Sequence, residues 1–216
     1  MTSPAFAPLP ELATSLLPHA LGPVDDGAHD LSHLQRVWAN VRRIAREDGG
    51  DLHVLLAATL LHDCVAVEKN SPLRAQASRL SAEKASALLQ QLDWPDAKIA
   101  AVVHAIEAHS FSAAIEANTL EAKILQDADR LDALGALGVA RTFSVGGRLN
   151  RALYDPHDPQ AEHRDYDDSR FTLDHFHTKL LHLAEGFQTI TGARLAQVRH
   201  ARLKRFLDEL IDEIGG

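Results

Sequence analysis

Two histidines and two aspartates stand out because their types and order could hold a metal ion. His33 is followed by the adjacent pair His62-Asp63, and Asp129 lies further along the chain. Imidazole nitrogens and carboxylate oxygens together suit a divalent first-row metal, and four such ligands leave coordination positions open for water and substrate. An open site of this kind predicts hydrolysis, and the candidate ions are Mn²⁺, Co²⁺, Ni²⁺, Fe²⁺ and Mg²⁺.

The sequence around His62-Asp63 indicates that the pair lies at the inner end of a buried helix. Residues 54–61 form a continuous apolar run, and Asp51 is placed to cap the start of the helix. A charged pair in such surroundings is costly unless it is hydrogen-bonded, paired or bound to a metal. A core histidine bonded to the neighbouring aspartate would also explain the pair, but it would leave His33 and Asp129 unexplained.

The four residues and their contexts resemble the HD-domain superfamily of metal-dependent phosphohydrolases. His33 matches the first ligand of that family, His62-Asp63 its signature doublet, and Asp129, in the context Ala-Asp-Arg-Leu, its final aspartate. The similarity covers residues 29–141, and the motifs look especially like those of the small stand-alone bacterial members of the YedJ type. The resemblance implies an all-α, single-domain HD-type helical bundle in which these four residues bind the metal.

Apolar residues at helical spacing predict the elements that would carry these ligands. The first helix carries His33, the second ends with the doublet, and a helix that begins near Leu120 carries Asp129. A proline-rich stretch is expected before the first helix, a break at residues 146–147, and an irregular acidic segment up to Asp168. The first helix is predicted at residues 29–47. Further helices are predicted at residues 78–92, 94–109, 171–187 and 193–214.

The loop that follows the doublet contains charged residues suited to a phosphate substrate. By resemblance to related phosphohydrolases, Glu68 is a candidate to position or deprotonate the attacking water, although a solvated loop glutamate is the alternative. Lys69 and Arg74 are the candidate phosphate-binding cations, ahead of Arg79, because phosphate oxygens require positive partners. Charged loops without any function are the competing explanation for all of them.

Two further regions supply candidate pocket residues. His104 and His109 lie about 140° apart around a regular helix, so a shared ion is awkward. His109, near the helix end, is expected to line the pocket in a catalytic role beside Asp63, by contacting phosphate or binding a second metal. His104 is expected to be a hydrogen-bonded core histidine. Asp132 follows Asp129 on the same helix face and is a candidate for substrate binding.

The length and composition favour one soluble domain. We expect residues 1–216 to form a single unit with a helical core at 29–141 and a helical extension at 170–214, as a monomer or homodimer. The single cysteine, Cys64, suits a reducing cytoplasm and is expected to be packing rather than chemistry. The net charge of −8 argues against a stable nucleic-acid complex, and neither a signal peptide nor a membrane span is predicted.

Three hypotheses about function follow. The favoured one is hydrolysis of a phosphate ester or anhydride, in a nucleotide-like small molecule, by metal-activated water. A di-iron oxygenase is the first alternative, because some members of the superfamily add histidine ligands and activate O₂. A binding module in which the metal is not catalytic is the second. The residues do not tell which phosphate bond is cleaved.

Overall fold

The computed structural model describes residues 4–21, 30–67, 76–110 and 113–215, and it is all-α. Within these ranges there is no β-strand, and one isolated bridge joins Ala152 and Phe171. The predicted all-α class is therefore confirmed. The helices of these ranges are α1 (Pro10–Ala20), α2 (Leu31–Asp48), α3 (Leu52–Leu61), α4 (Ala77–Gln91), α5 (Asp96–His109), α6 (Leu120–Asp132), α7 (Gly135–Arg148), α8 (Asp174–Thr178) and α9 (Ile190–Ile214).

The chain divides into two compact units, Met1–Asp129 and Arg130–Gly216. The assignment of all 216 residues to one domain with the predicted boundaries stays a prediction. In the described ranges, no helix is both long enough and apolar enough to cross a bilayer.

In the first unit, α3 is the central helix. Every residue from Val54 to Leu61 is buried, because the apolar run leaves the helix no polar face. Helices α1, α2 and α5 pack around it, and α4 packs against α5. The predicted cap is present, since the Asp51 carboxylate accepts hydrogen bonds from the backbone N–H groups of His53 and Val54 at 2.8 and 3.3 Å. These contacts fix where α3 begins.

The proline-rich start contains a helix that the sequence analysis did not predict. Helix α1 begins at Pro10, where the missing N–H costs nothing because the first turn has no internal acceptor for it. The chain before it is tied to α2, because the indole N–H of Trp38 donates to the carbonyl of Ala7 at 3.1 Å. The proline-rich stretch was expected to precede the first helix, whereas Pro10 is the first residue of one.

In the second unit, α7 packs against α9, and Phe143, Phe176 and Phe206 contact one another with ring centroids about 6 Å apart. The predicted helix over residues 171–187 was wrong, because only α8 and a 3₁₀ turn at Leu180–His182 form there. The backbone of residues 170–173 instead hydrogen-bonds with Ala152 and Leu153 at 2.9 Å and forms a turn around the single bridge residue Phe171.

Of two other expectations for this unit, the break at residues 146–147 was wrong and the irregular acidic segment is confirmed. Helix α7 runs through both glycines at 146–147 and ends at Arg148. Gly146 is needed for packing rather than for a break, because a Cβ there would collide with the Thr172 side chain. The acidic segment lacks helices, as predicted, but Arg164 orders it by pairing with the buried Asp174 at 3.0 Å and with Asp155 at 3.4 Å.

Candidate metal centre

His33 is held in the first turn of α2 by the residue that caps the helix. The Asp30 side chain accepts a hydrogen bond from the backbone N–H of His33 at 2.9 Å, which fixes the start of α2. The His33 side chain is only 1% exposed, and its Nε2 lies 3.4 Å from the Nε2 of His62. The two imidazoles therefore direct the same ring nitrogen at one point.

His62 is oriented by the end of α3. It is the residue that follows the last helical position, and it is fully buried. Its Nδ1 lies 2.8 Å from the carbonyl oxygen of Thr59. A carbonyl can only accept, so Nδ1 carries the proton and Nε2 presents its lone pair. This is the arrangement in which a protein carbonyl sets the tautomer of a metal-binding histidine.

His109 repeats this arrangement at the end of α5. Its Nδ1 donates to the carbonyl of Ile106 at 2.6 Å, which leaves the Nε2 lone pair free to accept a proton or a metal. Burial, and next the nearby His62, hold the pKa of His109 below its ordinary value, while Asp63 and Asp129 oppose this more weakly. A neutral imidazole is the form that a metal ligand must take.

Three ligand atoms form a triangle of the size that a metal ion requires. The Nε2 atoms of His33 and His62 are 3.4 Å apart, and they lie 3.5 and 3.9 Å from Oδ1 of Asp129. The circle through three points at these separations has a radius of about 2.1 Å, which is a typical length for a metal–nitrogen or metal–oxygen bond. An ion at its centre would contact all three atoms, so this group could hold a metal.

A second group shares one atom with the first. Nε2 of His62 lies 3.6 Å from Asp63, and Nε2 of His109 lies 3.7 Å from Asp63. The rings of His62 and His109 meet edge to face with centroids 4.9 Å apart. Since the Nδ1 of His62 is used by Thr59, only one lone pair of His62 is available to both groups. The two groups therefore cannot each bind His62 to a separate ion.

The exposure of the five side chains is uneven. The three histidines are buried, whereas Asp63 and Asp129 are each 33% exposed. The imidazoles thus line the inner side of the cluster, and the carboxylates border solvent. Among the described residues, the solvent-exposed side of the cluster is therefore the side of the two carboxylates.

Two side chains that the sequence analysis missed fix the approach of α6. The amide of Asn40, on α2, donates to the carbonyl of Ala128 at 3.0 Å, and the amide of Gln126 donates to the carbonyl of Ala108, on α5, at 2.8 Å. Each bond ties the residue beside a ligand, Asp129 or His109, to another helix. The importance of Asn40 could have been predicted from the sequence, because it is a polar residue within the apolar stripe of α2, where a buried amide needs a hydrogen-bond partner.

The other predicted site residues have different placements. Glu68, Lys69 and Arg74 lie outside the described residues, and Arg79 is exposed on α4. Nε2 of His104 accepts a hydrogen bond from the backbone N–H of Asn118 at 3.1 Å, but His104 is half-buried rather than in the core, so only the hydrogen bond of its expected role is present. Asp132 is fully buried and pairs with Arg141 at 2.8 Å, so its role in substrate binding stays a prediction. Cys64 is buried, and burial raises the pKa of its thiol.

Comparison with known proteins agrees with this geometry. The family model of the HD domain matches residues 30–134, a span that includes every residue of the cluster. The uncharacterized protein YpgQ of Bacillus subtilis (strain 168) is 31% identical over 196 residues, which are 89% of this chain and 87% of YpgQ.

Solved structures extend the similarity to the whole fold. The crystal structure of an HD-superfamily hydrolase from Bacillus thuringiensis has a TM-score of 0.72 at 30% identity and covers 94% of this chain and 96% of its own. The crystal structure of B. subtilis YpgQ in complex with ADP has a TM-score of 0.71 at 29% identity and covers 95% and 97%. HD domains bind divalent metals, and the His/Asp cluster provides groups that could do so here. This chain belongs to the HD-domain family, within a superfamily of hydrolases.

Proposed function

We propose that this protein is a metal-dependent phosphohydrolase that cleaves a phosphate ester or anhydride bond in a nucleotide-like substrate. The observation that carries the proposal is the convergence of His33, His62 and Asp129 on one point with the spacing of metal ligands. The nucleotide part of the proposal is supported by the ADP complex of the related YpgQ.

In this proposal some side chains hold the ion and others orient the attacking water. His62 and His109 keep their Nδ1 protons on carbonyls, which holds their Nε2 atoms in place, so little reorganisation of these two side chains is needed when the site is filled. The bound ion would polarise a phosphoryl oxygen and lower the pKa of a water molecule. Nitrogen ligands favour first-row transition metals over Mg²⁺, which prefers oxygen.

The substrate-binding part of the proposal involves residues near the doublet. Glu68 would position or deprotonate the attacking water, and Lys69 and Arg74 would bind phosphate oxygens through charge-assisted hydrogen bonds. His109, whose Nε2 carries a lone pair 3.7 Å from Asp63, is a second acceptor for a proton of that water. Asp132 remains a candidate substrate contact.

The competing di-iron hypothesis requires ligands for two ions. The two ligand groups share the single available lone pair of His62, and the Nε2 atom of His104 is bonded to the backbone at Asn118. Both features favour one ion at this cluster. Counting the metal atoms per chain therefore separates the two hypotheses directly.

The first experiment is metal analysis of the purified protein, followed by release of phosphate and pyrophosphate from a panel of nucleotides with Mn²⁺, Co²⁺ or Mg²⁺. We expect one metal per chain and metal-dependent release of one of the two products. Asp63→Ala should lose both the metal and the activity while remaining helical, because the substitution removes a carboxylate shared by the doublet and His109. Asp208→Ala, at an exposed position of α9, is the control and should change neither.

Each outcome identifies one of the hypotheses. The ratio of phosphate to pyrophosphate tells which bond is cleaved. An Asp63→Ala protein with full metal content and activity would refute the site assignment. Two irons per chain, with ferrous-dependent O₂ uptake and no phosphate release, would establish the oxygenase instead. Bound metal with neither reaction would favour the non-catalytic binding module.

A further inference from the structure

The turn that follows the doublet, at Cys64 and Val65, makes three hydrogen bonds with α4. The ammonium of Lys84 donates to the carbonyl of Cys64 at 2.9 Å. The backbone N–H of Val65 donates to the Ser81 hydroxyl at 3.2 Å, and the Cys64 thiol contacts the Ser81 carbonyl at 3.6 Å. Ser81 and Lys84 are three residues apart, so they lie on the same face of α4. This face therefore holds the two residues directly beyond Asp63.

Lys84 also joins this turn to the end of another helix. Its ammonium lies 3.4 Å from the carbonyl of His19, in the last turn of α1. The last carbonyls of a helix have no partner within the helix and carry partial negative charge. A cation between the end of α1 and the turn after α3 therefore satisfies acceptors from two separate chain segments at once.

The position of this turn determines where Asp63 points. Consecutive residues of a helix point about 100° apart, so His62 and Asp63 could not reach one ion from inside a regular helix. They meet because α3 ends at Leu61 and the chain turns at the doublet. His62 is oriented through Thr59. The backbone that carries Asp63 is continuous with the carbonyl held by Lys84.

We propose that Lys84 is a positioning residue of the metal centre. By holding the Cys64 carbonyl, it fixes the turn after α3 so that the Asp63 carboxylate stays within 3.6 Å of the His62 Nε2 before an ion binds. Ser81 supports the same turn through Val65. The inference rests on the metal centre of the proposed function, and it is independent of which phosphate bond is cleaved.

The test compares the Mn²⁺ affinity of metal-free, full-length variants by calorimetric titration. Lys84→Met keeps most of the side-chain length but removes the charge and the N–H donors. We expect it to raise the Kd for Mn²⁺ about tenfold, the lower end of the effect of losing a residue that orients a metal ligand, because Lys84 acts on Asp63 through the Cys64 backbone. Lys84→Arg keeps the cation and the donors and should recover most of the affinity.

The matched control is Lys98→Met. Lys98, on α5, contacts the start of α3, whereas Lys84 contacts the turn at its end. The Lys98 ammonium lies 2.9 Å from the Asp51 carboxylate. We expect Lys98→Met to lower thermal stability without changing the Kd for Mn²⁺. Comparing Lys84→Met with Lys98→Met thus separates an effect on the position of Asp63 from a general loss of stability.

The possible results are decisive. An unchanged Kd in Lys84→Met, or equal weakening in Lys84→Met and Lys98→Met, would overturn the proposal. If Lys84→Met fails to fold, Ser81→Ala replaces it, and an unchanged Kd in that variant would overturn the proposal as well. A wild-type protein that binds Mn²⁺ but releases neither phosphate nor pyrophosphate would contradict the proposed function and leave the Lys84 comparison intact, whereas one that binds no Mn²⁺ would contradict both.

Discussion

At the scale of single residues, the centre depends on histidines whose tautomer is set by the backbone. His62 and His109 each donate Nδ1–H to the carbonyl three residues earlier, at the end of a helix. The last carbonyls of a helix lack partners within the helix. Each of these hydrogen bonds therefore gives such a carbonyl a partner and at the same time orients the imidazole. His104, five residues before His109 on the same helix, instead accepts a backbone hydrogen bond at Nε2 and belongs to neither ligand group of the described residues.

This difference predicts unequal effects for the two histidines of α5. His109→Ala should reduce metal affinity and hydrolysis by about tenfold or more, because it removes an imidazole beside Asp63. His104→Ala is the matched control and should leave the Kd for Mn²⁺ unchanged, with at most a loss of stability. Calorimetric titration and steady-state kinetics measure both. If the two variants lose equal metal affinity, His109 has no special role.

At the scale of elements, the cap of α3 links helix stability to the site. Asp51 accepts two backbone hydrogen bonds at the start of the helix and pairs with Lys98 at 2.9 Å. Its own backbone N–H donates to Glu121, on α6, at 3.0 Å. The start of the buried helix is therefore anchored to α5 and α6, and its end delivers the doublet. The polar contacts of this largely apolar helix are thus concentrated at its two ends.

Two substitutions at Asp51 separate its roles. Asp51→Ala should lower the free energy of unfolding by about 1 kcal/mol, the usual effect of losing a capping side chain. Asp51→Asn keeps an acceptor for the backbone N–H groups and loses only the exposed ion pair with Lys98, so it should cost less than about 0.5 kcal/mol. Urea unfolding of the metal-free protein measures both values. Equal losses for Ala and Asn would show that the ion pair, not the cap, stabilises α3.

At the scale of the molecule, the cluster connects chain segments that are far apart in sequence. Its candidate ligands lie on α2, at the end of α3, on α5 and on α6, all within the first compact unit. An ion bound to the folded state, and not to the unfolded chain, stabilises the fold according to its concentration relative to the Kd. The ion would hold together four segments that only tertiary packing brings near one another.

This arrangement predicts metal-dependent thermal stability. At 100 times the Kd, Mn²⁺ should add about 2.7 kcal/mol, which corresponds to a rise in Tm of about 5 to 10 °C for a chain of this size. Mg²⁺ at the same concentration should have a smaller effect, because two or more ligands are nitrogens. Asp63→Ala should show almost no shift. A rise of the same size in Asp63→Ala would mean that Mn²⁺ acts elsewhere on the protein.

The elements that the sequence predicted correctly are those with strong local signals. The apolar run after Asp51 defines α3, and the apolar spacing of α2 places its start within two residues of the observed one. The helix expected at 171–187 failed because long-range backbone bonds to Ala152 and Leu153 outweigh local helical spacing. Helix α1 was not predicted because its start is rich in proline. Proline is nevertheless compatible with the first position of a helix, where Pro10 lies.

The sequence by itself determined the family and the types of ligand, because His33, His62-Asp63 and Asp129 form an ordered motif that can be read without coordinates. Only the tertiary structure decided which other residues join them. His109 was predicted to line the pocket but its contacts were left open, Asn40 was readable only as a polar residue in an apolar stripe, and Gln126 and Lys84 carried no chemical motif. Their roles depend on which helix ends pack together, and long-range packing is set by the whole core rather than by local residue order. The same packing fixes the Nδ1 protons of His62 and His109, because the accepting carbonyls become available only where their helices end.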